Sequence, residues 1–365
     1  MLRIGEHRLP VVGRARMYVC GITPYDTTHL GHAATFVWAD VAARVLRHLG
    51  VEVEVCRNVT DVDDVLDAAA AARGSAADSF AAVQQFRFDR DMAALGVRRP
   101  THEPRAHNHI GQVVTLAAAL LEAGAAYERG GTVWFRGAAA PDRAGLTGAA
   151  AAALAAQFGQ VYGHPDAEHP ADVPVWRAAR AGEAAWPSPW GEGRPGWHAE
   201  CAAMALTTLG PALDLHGGGD DLRFPHHAYE AEMAEAVTGV RPFARAWMHV
   251  GTVRVDGARM AKSTGNLVLV SDVVAKHPPA VLRLLLVDRA WARPWDFETA
   301  ALDAAAARLE RLYAAAAHGG EAGAAATGAV TAALLADLDV PAALDVAEEA
   351  GGDAARLALS VLNLS

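Results

Sequence analysis

The stretch that most constrains this chain of 365 residues runs from Met17 to His32, MYVCGITPYDTTHLGH. A β-type run, Met17 to Cys20, gives way to a loop containing Gly21 and Pro24, and a helical pattern begins near His32. From Ala33 to Leu49 apolar residues recur at Phe36, Val37, Val41, Val45 and Leu46, and Gly50 stops the run, which is the pattern of an amphipathic helix. Val51 to Arg57 alternates and is rich in β-branched residues, so it reads as a second strand. A strand, helix and strand of these lengths form a βαβ crossover, right-handed by strong precedent. The expected fold is a parallel, doubly wound α/β sheet, with the polar loop at the carboxyl end of a strand, where such sheets bind ligands.

Within that loop His29 and His32 are three apart and can share one face of the first helical turn. Helix N-terminal N–H groups favour phosphate, and two imidazoles add donors that tolerate charge build-up. Taken by spacing alone, a His-x-x-His pair is more often a surface accident or a metal fragment. The second strand runs into Arg57-Asn-Val-Thr-Asp-Val-Asp-Asp64, which reads as a polar turn with Asp63 or Asp64 as a helix N-cap. Helical patterns follow at Val65 to Arg73, Ser79 to Ala94 and His109 to Ala126, and Thr132 to Arg136 reads as a strand. Residues 137 to 163 are mostly Ala and Gly and say little about chemistry. Trp186 and Trp190 fit a rigid packed loop.

Farther on, Leu213 to His216 is expected to be a short strand and Gly217, Gly218 and Gly219 the turn after it. His226 opens a helix with Glu230 four residues later on the same face. Val250 to Val255 is a strand, and Trp291, Trp295 and Phe297 are packing anchors of a helical stem. Cys20, Cys201, His226 and Glu230 offer two thiolates, an imidazole and a carboxylate, a donor set that suits zinc. The 25 residues between Cys201 and His226 are too many for a local finger, so the fold would have to assemble the ligands. By spacing alone, buried cysteines and a core histidine are the commoner explanation.

Composition narrows the function classes. The net charge of -10 has the wrong sign for a protein that mainly grips a polyanion. Residues 301 to 365 sharpen this: Arg308, Arg311 and Arg356 face Asp303, Glu310, Glu321, Asp337, Asp339, Asp345, Glu348, Glu349 and Asp353, poor material for phosphate neutralisation. Three cysteines make no disulfide framework, the leading MLRIGEHRLP is not an apolar secretion segment, and no apolar run reaches the roughly 18 residues of a membrane span. A cytoplasmic protein with no membrane partner is expected.

The wording Cys20-Gly-Ile-Thr-Pro-Tyr-Asp-Thr-Thr-His-Leu-Gly-His32-Ala-Ala-Thr35 resembles the HIGH region of class I aminoacyl-tRNA synthetases in their cysteine-specific branch. Within that branch it is most similar to the mycothiol-pathway ligases, which join cysteine to the amine of glucosaminyl-inositol using ATP. Arg259-Met-Ala-Lys-Ser263 is similar to the second class I motif, KMSKS, with Arg259 and Ala261 replacing its first Lys and first Ser. Arginine keeps the charge but not the geometry, so slower adenylation is expected.

The resemblance implies a Rossmann-like catalytic domain at 1–126 and 174–268, a connective insertion at 127–173, a stem-contact region at 269–300, and a C-terminal helical domain at 301–365 lacking an anticodon-binding module. It implies His29, His32 and Lys262 as catalytic residues. Gly21, Ile22, Thr23, Thr35, Gly219, Asp220, Val253, Arg259 and Ser263 would meet ATP or the adenylate. Asn58, Thr60, Trp197 and Asp221 would hold cysteine, Trp197 as an aromatic wall and Asp221 on the substrate ammonium. Cys20, Cys201, His226 and Glu230 would bind Zn2+, with Mg2+ beside the ATP phosphates. Glu230 agrees with the tRNA synthetases, whereas a three-ligand zinc is expected of mycothiol ligases. The implied partners are L-cysteine, ATP and an acceptor amine, without tRNA, in a monomer or small homo-oligomer. A shortened cysteinyl-tRNA synthetase, a secondary-metabolism ligase with another acceptor, and a catalytically idle binding homologue are the rival readings.

Overall fold

A computed structural model describes the chain except for residues 26, 158–161, 262–263 and 318–322. Lys262 and Ser263 therefore lie outside the described residues. After a short hairpin (Arg3–Ile4 with His7–Arg8), the chain forms β1 (Arg14–Ile22), α1 (Leu30–His48) and β2 (Glu52–Val59). Next come α2 (Asp64–Ala71), α3 (Ala77–Ala94) and α4 (Ile110–Glu122). Asp63 caps α2, its carboxylate accepting from the N–H groups of Val65 and Leu66. The α4 helix stops short of the expected Ala126: Gly124 turns the chain at φ +69° and Ala126 opens a strand.

That strand, β3 (Ala126–Arg129), begins an antiparallel sheet completed by β4 (Thr132–Phe135), β5 (Val173–Ala178) and β6 (Gly193–Pro195). The sheet crosses the boundary at 173 expected for the insertion, because its last two strands come from the Trp/Pro-rich segment beyond it. It leads directly into α5 (Trp197–Leu209), and a side chain at Gly196 would overlap the Pro174 carbonyl, so sheet and helix are in contact at that turn.

The chain then builds β7 (Leu213–Gly219), a one-turn π segment at Arg223–His227, α6 (Ala228–Thr238) and β8 (Ala244–Val250). The central sheet is all parallel, in the order β8, β7, β1, β2. The three glycines expected to turn after Leu213–His216 instead continue β7, paired with Met248, His249 and Val250. A side chain at Gly218 would sit 2.8 Å from the His227 ring and 2.9 Å from Leu222, so glycine here serves close packing of a buried strand. The expected strand Val250–Val255 is also divided. Gly251, where a Cβ would overlap the Arg293 backbone, separates β8 from β9 (Val253–Val255).

β9 joins a small separate sheet with β10 (Ala258–Arg259) and, after α7 (Val270–Val274) and α8 (Pro279–Val287), with β11 (Trp295–Asp296). Helices α9 (Ala300–Ala317), α10 (Ala324–Leu335), α11 (Val340–Ala350) and α12 (Gly352–Leu362) follow. Side chains of β1 alternate between two cores. Met17 and Val19 pack with α1, α8 and the last four helices, whereas Tyr18 and Cys20 pack with α4, α5, α6 and the antiparallel sheet. Trp291 is buried in the first core, and Trp295 and Phe297 lie against it. Among the described residues no helix is long and apolar enough to cross a membrane.

Candidate metal centre and active site

Cys20 ends the second-core face of β1, Cys201 lies one turn into α5, His226 sits in the π segment and Glu230 in the first turn of α6. Their ligand atoms all lie within 4.8 Å of one another, and all four side chains are buried. His226 Nε2 is 2.7 Å from Glu230 Oε1 and 3.3 Å from Cys201 Sγ, and Cys20 Sγ is 3.2 Å from Glu230 Oε1. The electrostatics are those of a ligand cluster. Burial pushes the Cys20 thiol up, helped by Cys201 and Glu230. His226 is raised to about 10, because the Glu230 carboxylate and Cys201 outweigh burial. Cys201 is lowered to about 7, where burial is overcome by the Cys20 hydrogen bond and His226. Two sulfurs, an imidazole and a carboxylate converging in one buried group fit zinc, and a metal there would displace the protons held by Cys20 and His226.

Around these four the fold packs aromatic rings: Trp197, expected as an aromatic wall, and His198, His216, His227 and His249, to which the sequence reading assigned no role. Trp197 stacks on His226 with ring centroids 4.0 Å apart, and His198 Nδ1 lies 2.9 Å from His226 Nδ1. His216 Nε2 is 2.8 Å from Glu230 Oε2, and His227 Nδ1 is 2.9 Å from His249 Nε2. Cys20, His216, His227 and Glu230 make a second compact donor group that overlaps the first. Burial lowers His198 and His227, and it lowers His249 to about 3 with help from Arg223 and His216. The available signal was positional: His216 and His249 interrupt apolar strand interiors, and His198 follows a tryptophan. Glu200 was also missed. It is fully buried, neither carboxylate oxygen has a hydrogen-bond partner, and burial pushes its carboxyl well up, with Cys201, Asp63 and Asp61 adding to the shift.

Asn58 and Thr60 stitch β2 to the loop after β1. Asn58 Oδ1 accepts from the Gly21 N–H at 2.8 Å, and its Nδ2 donates to Cys201 Sγ at 3.1 Å. A side chain at Gly21 would overlap the Asn58 carbonyl. Thr60 Oγ1 is 2.7 Å from Thr23 Oγ1, and its N–H donates to the Ile22 carbonyl at 3.0 Å. Asn58, Thr60 and Trp197 thus border the metal cluster or the loop beside it.

His29 caps α1: its Nδ1 accepts from the Gly31 N–H at 3.1 Å, and its ring stacks on His32 at 3.9 Å. Thr35 Oγ1 donates to the Gly31 carbonyl at 3.2 Å. The segment after the KMSKS-like stretch pairs with this loop, Leu30 N–H donating to Val268 O and Val270 N–H to Thr28 O. Asn266 accepts from Ala261 N–H at 2.9 Å and donates to Arg259 O at 3.1 Å. Asp221, expected on the substrate ammonium, is ion-paired with Arg259. Its carboxylate is pressed against Gly219, with Thr35 close by. Asp220 faces Arg223 at 3.6 Å, and Val253 is buried in β9.

The family model described as the catalytic domain of class I (C) tRNA synthetases matches residues 9–307. A cysteine–tRNA ligase of Halorhodospira halophila is 44% identical over 303 residues, covering 82% of this chain and 65% of that protein. The chain therefore spans slightly less than two thirds of that relative. An L-cysteine:1D-myo-inositol 2-amino-2-deoxy-alpha-D-glucopyranoside ligase of Parafrankia sp. is 44% identical over 315 residues, covering 85% of this chain and 71% of that protein. The fold is similar to that of Mycobacterium tuberculosis methionyl-tRNA synthetase bound by methionyl-adenylate, with TM-score 0.69 at 16% identity over 95% of this chain and 84% of that one.

Proposed function

The chain belongs to the family of class I (C) tRNA synthetase catalytic domains, and on that premise we propose that it is an ATP-dependent ligase that activates L-cysteine and passes it to a small acceptor amine. The cysteine carboxylate attacks the α-phosphate of ATP, giving cysteinyl-adenylate and pyrophosphate. The amine then attacks the acyl carbon and AMP leaves. The observation that carries this reading is the buried group Cys20, Cys201, His226 and Glu230 at the end of the strand whose following helix opens on the His29 and His32 pair. Sulfur selection and phosphate chemistry thereby share one loop.

Bound zinc supplies a soft Lewis acid that takes a thiolate in preference to a hydroxyl. Trp197 closes one side of that pocket, and Asn58 holds Cys201 and the Gly21 turn in register. His29 and His32, with Lys262 of the KMSKS-like stretch, stabilise charge on the pentavalent phosphorus and departing pyrophosphate. Asp221 holds Arg259, the first residue of that stretch, by an ion pair. Mg2+ accompanies the ATP phosphates.

The acidic surface of α9 to α12 supports an amine such as glucosaminyl-inositol, as taken by the Parafrankia relative, over a polyanion. Glu230, standing fourth in the metal cluster, favours the alternative of a cysteine–tRNA ligase activity. Cysteine-dependent exchange of labelled pyrophosphate into ATP tests the first half-reaction, and its absence removes the reading. Parallel assays with tRNA and with glucosaminyl-inositol decide the acceptor.

A further inference from the structure

Segment Thr101 to Arg105 runs beside β2, with bridges at Cys56–His102 and Val59–Arg105, so both chains end at the same carboxyl edge of the sheet. Immediately past that edge the side chains of Asp61 and His107 meet. Asp61 is next to Thr60, the residue tied to Ile22 and Thr23. Its Oδ1 accepts from the His107 backbone N–H at 3.1 Å, and its Oδ2 lies 2.5 Å from His107 Nδ1 and 3.2 Å from Arg105 Nη1. The Asp61 side chain is 4% exposed and the imidazole 39% exposed. A buried carboxylate thus fixes an open imidazole by two bonds, one to the backbone and one to the ring. With Nδ1–H donated to Asp61, Nε2 is the basic nitrogen, and it belongs to the exposed part of the pair.

We infer that His107 is the base for the second half-reaction and that Asp61 is its positioning residue. This rests on the amine-acceptor reading above. His107 Nε2 takes a proton from the acceptor ammonium and frees its lone pair; the nitrogen then bonds to the cysteinyl carbon, the bond from the acyl carbon to the AMP oxygen breaks, and the second nitrogen proton leaves with the AMP phosphate. The imidazolium is stabilised by Asp61 and later returns its proton to water. The first half-reaction forms no N–C bond and does not use His107.

The test uses the full-length, zinc-loaded protein and two probe acceptors: D-glucosamine, substantially an ammonium near neutral pH, and hydroxylamine, which is already unprotonated there. His107→Gln should leave pyrophosphate exchange within about twofold and slow single-turnover transfer from preformed cysteinyl-adenylate to glucosamine by about 10²-fold. Transfer to hydroxylamine should be unchanged, the acidic limb of the wild-type transfer profile should disappear, and added imidazole should restore the rate. Asp61→Asn should slow transfer less and keep a displaced acidic limb. Unchanged glucosamine transfer in His107→Gln, or equal losses in exchange and in both transfers, overturns the dyad while leaving the ligase reading intact. Wild-type protein that exchanges pyrophosphate but aminoacylates only tRNA overturns the amine reading and the dyad with it.

Discussion

The sulfur end and the nucleotide end of the proposed site both adjoin the same strand, β1, yet they differ in how they are built. Cys20, Cys201, His226 and Glu230 are exposed by 4%, 1%, 1% and 0%, and each is held by a different element packed into one core. At the other end Arg259 and Asp221 have side chains 53% and 28% exposed, and Arg259 stands on a two-residue strand in a small separate sheet. Telling sulfur from oxygen requires fixed donors in a dry setting, because a site that adapts also accepts the wrong atom. In the proposed reaction a triphosphate has to enter and its pyrophosphate has to leave, which favours charges near solvent on an element with few anchors.

Changes at the buried end should therefore cost most. Cys201→Ser should strip the metal, measured by elemental analysis, and reduce cysteine-dependent exchange by well over about 100-fold. The intact protein should prefer cysteine to serine by about 10⁴-fold in the same assay; comparable exchange with serine would break the contrast between the ends. His32→Asn should lower the exchange kcat by about 10²-fold while leaving zinc content and the KM for cysteine unchanged. His198→Gln, which removes the ring nitrogen beside His226 Nδ1, should weaken zinc affinity by about 10-fold to 100-fold in a chelator competition. Asp221→Asn should alter stability by less than about 1 kcal/mol, as expected of an exposed pair, and raise the KM for ATP a few-fold.

The smallest effect concerns pH. His249 is neutral in the folded protein down to about 3, because burial, Arg223 and His216 oppose its proton, whereas the unfolded chain takes that proton near 6.5. The unfolded state binds more protons between those values, so stability is complete above about 6.5 and declines as pH falls toward 3. His249→Gln should flatten that decline in urea titrations of metal-free protein.

The first βαβ unit was legible because its apolar periods, its stop at Gly50 and the Asp63 cap are all local signals. The grouping of Cys20, Cys201, His226 and Glu230 was legible by residue type and by resemblance, since nothing in their spacing brings Cys20 to Cys201. Gly217 to Gly219 misled because a triple glycine signals a turn locally, and the His227 ring that demands glycine there arrives from a different element. Gly251 carried its reason in the Arg293 backbone, far along the chain. No local signal announces that β5 pairs with β4, and β6 with β5, after a long excursion. The histidine shell was hidden because a histidine in an apolar run looks like a tolerated core residue until its partners are in view.

Arg283 is 1% exposed and gives hydrogen bonds to Leu95 O, Leu362 O and Asp40 Oδ2, so one guanidinium joins the end of α3, the end of α12 and the middle of α1. Losing it would leave Asp40 buried with less than its complement of partners, at about 3 kcal/mol or more. The consequence is for modularity: the last helices are not a cassette that recombination can exchange freely. A substitute must present a carbonyl where Leu362 does, or the helix that begins at His29 loses its backing.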